Sequence, residues 1–210
     1  MVVLYVRPAG AARTETHRTA GVPSLLMRER PAGAGDRTAF AAWIAPDKFG
    51  IPANILGQHP EDVYALAGRI VMLSALLEDR QRTLLQTLND VAATEYAGEP
   101  ARRVVIRLRE AVSEAATLEM EWRGAERLLA RAGDAFEFRN AVVHNLWPAQ
   151  PDGTLFGHRQ HPRTGYRQIT VTSLDEMTDA VSTLVDLIGE NETWLARAPH
   201  VQALRRTRRG

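Results

Sequence analysis

A long run of apolar residues at helical spacing, opening just after Pro60, constrains this chain more than any other feature. Val63, Leu66, Ala67, Ile70, Leu73, Leu77, Leu84, Leu88 and Val91 recur at intervals dominated by three and four, the period of one face of an α-helix. Glu61 and Asp62 at its start complement the positive end of the helix dipole. A helix carried to about Tyr96 is too long to stand alone and must bury its stripe against other helices. Three more helical segments follow. Gly98-Glu99-Pro100 is a turn, after which Val104, Val105, Leu108, Val112 and Ala116 outline a second helix. A third is expected over about 118–146, where Pro148, Pro151, Asp152 and Gly153 break the chain. Segments at about 154–160 and 166–172 then read as a small hairpin. Ser173-Leu174-Asp175-Glu176 is a capping box. It starts a last helix with Met177, Val181, Leu184, Leu187, Ile188 and Trp194 on its apolar face, expected to stop near Leu195 before Pro199. The fold class is all-α, a four-helix bundle with a small β-hairpin inserted before the last helix.

Composition narrows the chemistry. The 210 residues contain no cysteine, which excludes disulfide frameworks, thiolate zinc sites and cysteine nucleophiles. No apolar run approaches the ~18 residues of a membrane helix, so no membrane partner is expected. Arg7 arrives before any long apolar core, so no secretory signal is read and a cytoplasmic location is expected. The formal charge of +1 conceals an uneven distribution. Residues 1–57, crowded with proline and glycine, carry seven basic side chains against four acids, a balance of +3. Residues 197–210 carry five arginines and no acid, leaving the body at 58–196 with −7. The expected organisation is an irregular basic extension over 1–57, a helical domain over 58–196 and an arginine-rich tail over 197–210. Lys48 is the only lysine, so the abundance of arginine points to coding bias and is not by itself a sign of nucleic-acid binding.

One position breaks the apolar pattern. Along the third helix Leu118, Trp122, Ala125, Leu129, Ala132, Phe136, Arg139, Val143 and Leu146 alternate by four and three. Arg139 is the sole polar member. A guanidinium on a packing face needs a carboxylate, a phosphate or a wet cleft, and such local violations concentrate at functional sites. Asn140 and His144 lie four apart and share a face, whereas Arg139 and His144 are turned about 140° from each other. The residue types suit RNA cleavage. A histidine near neutrality can move a proton at a ribose 2′-hydroxyl or a leaving 5′-oxygen. An arginine fork can hold the phosphate and stabilise its developing charge. One histidine cannot easily serve as both acid and base, so a symmetric dimer is the better chemical arrangement. Against this stands a structural reading, in which Arg139 pairs with Glu78, Asp79 or Asp134 and His144 caps the helix end.

The string Arg139-Asn140-Ala141-Val142-Val143-His144 resembles the R-x4-6-H signature of the HEPN superfamily, including the polar residue after the arginine. Asn145-Leu146-Trp147 and the short hairpin resemble bacterial HEPN-like proteins with an RN…VH…W pattern. The resemblance spans roughly residues 60–195 in architecture and about nine residues in motif. It implies a small, dimeric helical bundle and a metal-independent endoribonuclease without cofactor. Arg139 and His144 would be the catalytic pair, with Asn140 as a polar helper. An antitoxin or effector protein is an expected partner in a toxin or defence role. From Gly153 to Leu174 there is no acid, while His158, Arg159, His161, Arg163 and Arg167 all lie in this stretch. These five are the candidate RNA-binding residues, with Phe156 and Tyr166 available to stack on bases. Two alternatives stay open: a catalytically inactive dimerisation or interaction module, and a binder of RNA or nucleotides that does not cleave.

Overall fold

Leu66, Ile70, Leu77, Leu84, Leu85 and Leu88 are buried along one face of the first helix, α1 (Glu61–Asn89). That face carries the stripe the spacing predicts. In the computed structural model, which describes residues 2–6, 48–51, 59–150, 153–160, 165 and 167–209, three further helices complete a bundle: α2 (Ala101–Leu118), α3 (Arg123–His144) and α4 (Leu174–Arg209). A short 3-10 turn, Met120–Trp122, joins α2 to α3. α1 stops seven residues earlier than its spacing suggests. Asp90 adopts a left-handed conformation (φ 55°) and turns its N–H back onto the carbonyls of Gln86 and Thr87, which closes the helix.

α4 forms the largest interface in the fold with α1. The two run in the same direction, as Arg80–Glu192 and Asp90–Arg206 ion pairs at successive levels show. α3 runs against both, with Arg131 on Glu190 and Arg197 on Glu121. Two apolar clusters fill the interior. Leu84, Leu85, Leu88, Leu108, Val112 and Trp122 centre one. Leu66, Ile70, Leu77, Phe136, Met177, Leu184 and Leu187 centre the other. Trp122 is fully buried against Trp194, the ring centroids 5.1 Å apart. A side chain at Gly124 would collide with the Trp194 indole, its Cβ 2.9 Å from a ring carbon, so α3 can approach α4 there only through glycine.

The sequence reading of the two ends needs correction. Residues 197–210 are expected to be a tail, yet α4 continues through Pro199 to Arg209. Proline in a helix interior removes one hydrogen bond and costs ~3 kcal/mol. Here packing outweighs that cost: Ala198 and Val201 are fully buried in the first cluster. The side chains beyond them satisfy the end of α1, which has no basic residue in its own last turn. Gln202 donates to the Thr87 carbonyl, and Arg205 donates to the Leu88 carbonyl and to Glu114 at 3.0 Å. Arg205 thus sets a cation at the carbonyl end of α1, where the helix dipole favours positive charge.

At the other end, residues 1–57 are not irregular throughout. Val2–Val6 is a strand, β1. It pairs antiparallel with β3 (Arg167–Thr172), which also pairs with β2 (Leu155–Gln160), giving the order β1-β3-β2. The register sets Val2 opposite Val171 and Val6 opposite Arg167. Val2, Val3, Tyr5 and Val6 suit a strand, but a strand needs a partner, and β3, far along the chain, supplies it. The expected hairpin is thus two strands of a three-stranded sheet. The rest of 1–57, apart from 48–51, lies outside the described residues. The capping box forms as its sequence implies: Ser173 Oγ accepts from the Glu176 N–H at 3.1 Å, and Glu176 Oε2 accepts from the Ser173 N–H at 3.2 Å. Among the described residues, no helix is long and apolar enough to cross a membrane.

Deleting residues 197–210 tests the altered role of the end. A solvated tail would be removed without effect on folding. Burying one valine contributes ~1.5–3 kcal/mol, so the deletion is expected to lower the unfolding free energy by at least about 2 kcal/mol in urea titrations.

Candidate functional site

The site begins with the geometry of α3. Ala125, Leu128, Leu129, Ala132, Phe136 and Ala141 are buried, while Val143 is 45% and Leu146 67% exposed. The expectation that Arg139, Val143 and Leu146 face the core is overturned because the stripe runs out with the helix. Val143 lies in the last turn of α3, which ends at His144, and Leu146 lies past that end, bridged to His158. Arg139 stands at the margin of the bundle, its side chain 24% exposed.

Its partner is one of the three acids the sequence offered. Arg139 Nη2 lies 3.9 Å from Glu78 Oε2 on α1. Glu78 is shared, since Arg82 donates to Glu78 Oε1 at 3.2 Å from one helical turn further on. The Arg139 pair is thus the longer of the two, and its Nε is buried without a hydrogen-bond partner among the described residues. A fork held this loosely keeps donors for another anion. Asn140, the next residue, is half-buried, and His144 is exposed as the last residue of α3. Arg139 and His144 leave the helix on different sides, so one copy does not close them around a single atom. The exposed side chains of Val143 and Leu146 flank His144 in the chain and give this end of the molecule an apolar surface.

The acid-free hairpin lies next to this end of α3. Leu146 and His158 exchange backbone hydrogen bonds of 2.8 and 2.9 Å, fixing β2 to the residues just after His144. Trp147 locks the junction: its indole N–H donates to the Val142 carbonyl at 3.0 Å, and its own carbonyl accepts from His59 Nε2 at 2.7 Å. A Cβ on Gly157 would stand 2.8 Å from the indole, so glycine is required for the ring to lie on the strand.

Of the expected RNA-binding residues, three are described. Arg167 is exposed and donates to His158 Nε2 at 2.8 Å. Arg159 donates through Nε to Gln168 Oε1 at 2.9 Å. His161 and Arg163, and the aromatic Tyr166, lie outside the described residues. Phe156 is half-buried against the His158 ring, the centroids 6.3 Å apart. Burial lowers the His158 pKa below its ordinary value, and the Arg167 guanidinium lowers it further. An imidazole that accepts from an arginine is neutral at that nitrogen, so His158 brings no positive charge to the hairpin, whereas Arg159 and Arg167 do.

The sequence reading missed Asn145. It is 7% exposed, and neither its Nδ2 nor its Oδ1 has a hydrogen-bond partner among the described residues. It lines a cavity of about 190 Å³ between the start of α1 and the residues after α3, together with His59, Tyr64, Ala67, Val142, Trp147 and Met177. A polar residue at a helix end carries no mark of burial in the sequence, and only the fold of Trp147 back over Val142 encloses it. No protein-family model, characterised protein or solved structure matches the chain, and the site is read from its own geometry.

The His158 contact predicts a pH effect. Since its folded pKa lies below that of the unfolded chain, the unfolded chain binds the extra proton. The hairpin is therefore fully stabilised above about pH 6.5 and loses stability as pH falls below it. An NMR titration should place His158 below the ordinary histidine value. In Arg167→Ala the value should rise only in part, because burial, the larger cause, remains.

Proposed function

We propose that this chain is a HEPN-type, metal-independent endoribonuclease that acts as a dimer, with Arg139 and His144 as its catalytic pair and Asn140 as a polar helper. The observation that carries the reading is the loose hold on Arg139: its guanidinium sits 3.9 Å from an acid already engaged by Arg82, at the end of the helix that also ends in an exposed histidine. A phosphate can replace so long an ion pair at small cost, since partly exposed pairs of this kind contribute little. The separation of Arg139 from His144 within one chain supports a composite site, in which a second copy meets the apolar surface around Val143 and Leu146.

In that arrangement one histidine takes the proton from the ribose 2′-hydroxyl as its oxygen attacks the adjacent phosphorus. The second returns a proton to the 5′-oxygen as the P–O5′ bond breaks, leaving a 2′,3′-cyclic phosphate and a free 5′-hydroxyl. The Arg139 fork neutralises charge on the non-bridging oxygens as it builds. Arg159 and Arg167, on strands tied to the residue pair after His144, add sequence-independent phosphate affinity, and His161 and Arg163 are assigned to the same lip. An antitoxin or effector protein as a regulating partner belongs to this reading. The Glu78 bridge between Arg82 and Arg139 favours a second reading, in which Arg139 is a structural tie in an inactive interaction module.

Incubating the protein with mixed single-stranded RNA in EDTA separates the two. Cleavage yielding 2′,3′-cyclic phosphate ends is expected, with a loss of at least about 100-fold in Arg139→Ala and in His144→Ala. Because Glu78 keeps Arg82, Arg139→Ala should cost no more than about 1 kcal/mol of stability. Absence of cleavage by the wild type, with a dimer that Arg139→Ala disrupts, would establish the interaction module.

A further inference from the structure

We propose that the cavity at the start of α1 binds a small, neutral, planar molecule through the Asn145 side chain, and that the ligand presents a cyclic-amide edge with an N–H and a C=O side by side. The inference stands apart from the nuclease reading and does not depend on it.

Asn145 supplies the first argument. Its residue is more than nine-tenths buried, with both polar atoms of the amide unpartnered among the described residues, and buried side-chain amides are as a rule hydrogen-bonded. An asparagine offers one acceptor oxygen beside a two-hydrogen donor nitrogen. A lactam or imide edge matches both at once. Three neighbouring polar groups of the lining are already committed: the Trp147 indole N–H to Val142, His59 Nε2 to the Trp147 carbonyl, and Thr172 Oγ1 to Glu176, while Tyr64 is exposed at the rim. Asn145 is thus the buried polar anchor left to a guest.

The rest of the lining specifies the remainder of the molecule. Among the described residues no Asp, Glu, Lys or Arg lines the cavity, so an ion would lose its hydration without a counter-charge. Val63, Ala67, Val142, Leu155 and Met177 give apolar walls, and Tyr64, His59 and Trp147 give flat ones. His59 and Tyr64 meet edge to face with centroids 5.9 Å apart, leaving ring surface for a planar guest. The volume of about 190 Å³ exceeds the ~150 Å³ of an apolar cavity that holds benzene, so a single substituted ring fits. Tyr64 and Leu146 are exposed and form the rim. Two sources share this chemistry, a uracil-type base of an RNA strand and a free cyclic amide.

The test uses 2-pyridone as the probe and benzene as the isostere that lacks the amide edge, with the full chain. In wild-type protein 2-pyridone is expected to shift the Asn145 side-chain NH₂ resonances and to bind at least tenfold more tightly than benzene. Asn145→Leu should abolish that preference while benzene still binds. Ala67→Phe, which fills the cavity and keeps Asn145, should remove binding of both probes, so the result does not hang on one variant. Competition of 2-pyridone by oligouridylate assigns the site to an RNA base, and competition by free uracil alone assigns it to a small molecule. The proposal is overturned if 2-pyridone leaves the Asn145 resonances unmoved at millimolar concentration, or if it binds no better than benzene. RNA cleavage unchanged in Ala67→Phe would leave the nuclease reading standing whichever way the cavity test falls.

Discussion

The packing of α1 against α4 is the constraint on which the rest of this molecule depends. Each helix alone presents an apolar face that water would not tolerate, and side by side in the same direction they bury Ile70, Leu77, Leu84, Leu184 and Leu187 completely. A parallel pair cannot be joined by a short turn, so the chain between them must travel back. It does so through α2, α3 and the sheet, and α3 closes the core from the opposite direction. The length of α4 has the same origin. Its last turns lie over the end of α1, where Gln202 and Arg205 donate to carbonyls that a helix cannot satisfy internally. The polar residues Ser74, Gln81 and Asn191 are also fully buried on these two helices, a departure from an all-apolar seam that sets this interface off from a simple leucine zipper.

The candidate site occupies the end of the bundle where α3 runs out. Trp147 is the joint there. By bonding back to Val142, receiving His59 and lying on Gly157, it ties α3, the start of α1 and β2 to one another. Consequently His144, the basic strands and the Asn145 cavity are held near one another by one indole, and each inherits its position from it. Arg139 is positioned differently, by Glu78 on α1. The two halves of the candidate pair therefore hang from two separate supports, which suits a site whose parts are to be completed by a second copy.

Much of this was legible beforehand because the signals were local. The helical spacing of α1, the Pro100 start of α2 and the Ser173–Glu176 capping box depend on residues within a turn of each other, and all three appear where expected. The acids proposed for Arg139 included the one that meets it. Other features were not legible, and for physical reasons. Whether Pro199 ends a helix depends on what Ala198 and Val201 pack against. Whether Val2–Val6 forms a strand depends on β3, far along the chain. Val143 and Leu146 continue the apolar spacing of α3, yet the helix ends at His144, and whether those two side chains are covered depends on what lies opposite.

The sequence by itself determined the class of fold, the absence of thiol chemistry and the residue types at the end of α3, because periodicity, composition and spacing are properties of short segments. Only the tertiary structure decided which residues are enclosed. Burial is a property of what lies opposite, so it turned a presumed tail into the cap of α1, moved Arg139 from a core seam to the margin beside Glu78, and left the amide of Asn145 without a partner among the described residues in a largely apolar cavity.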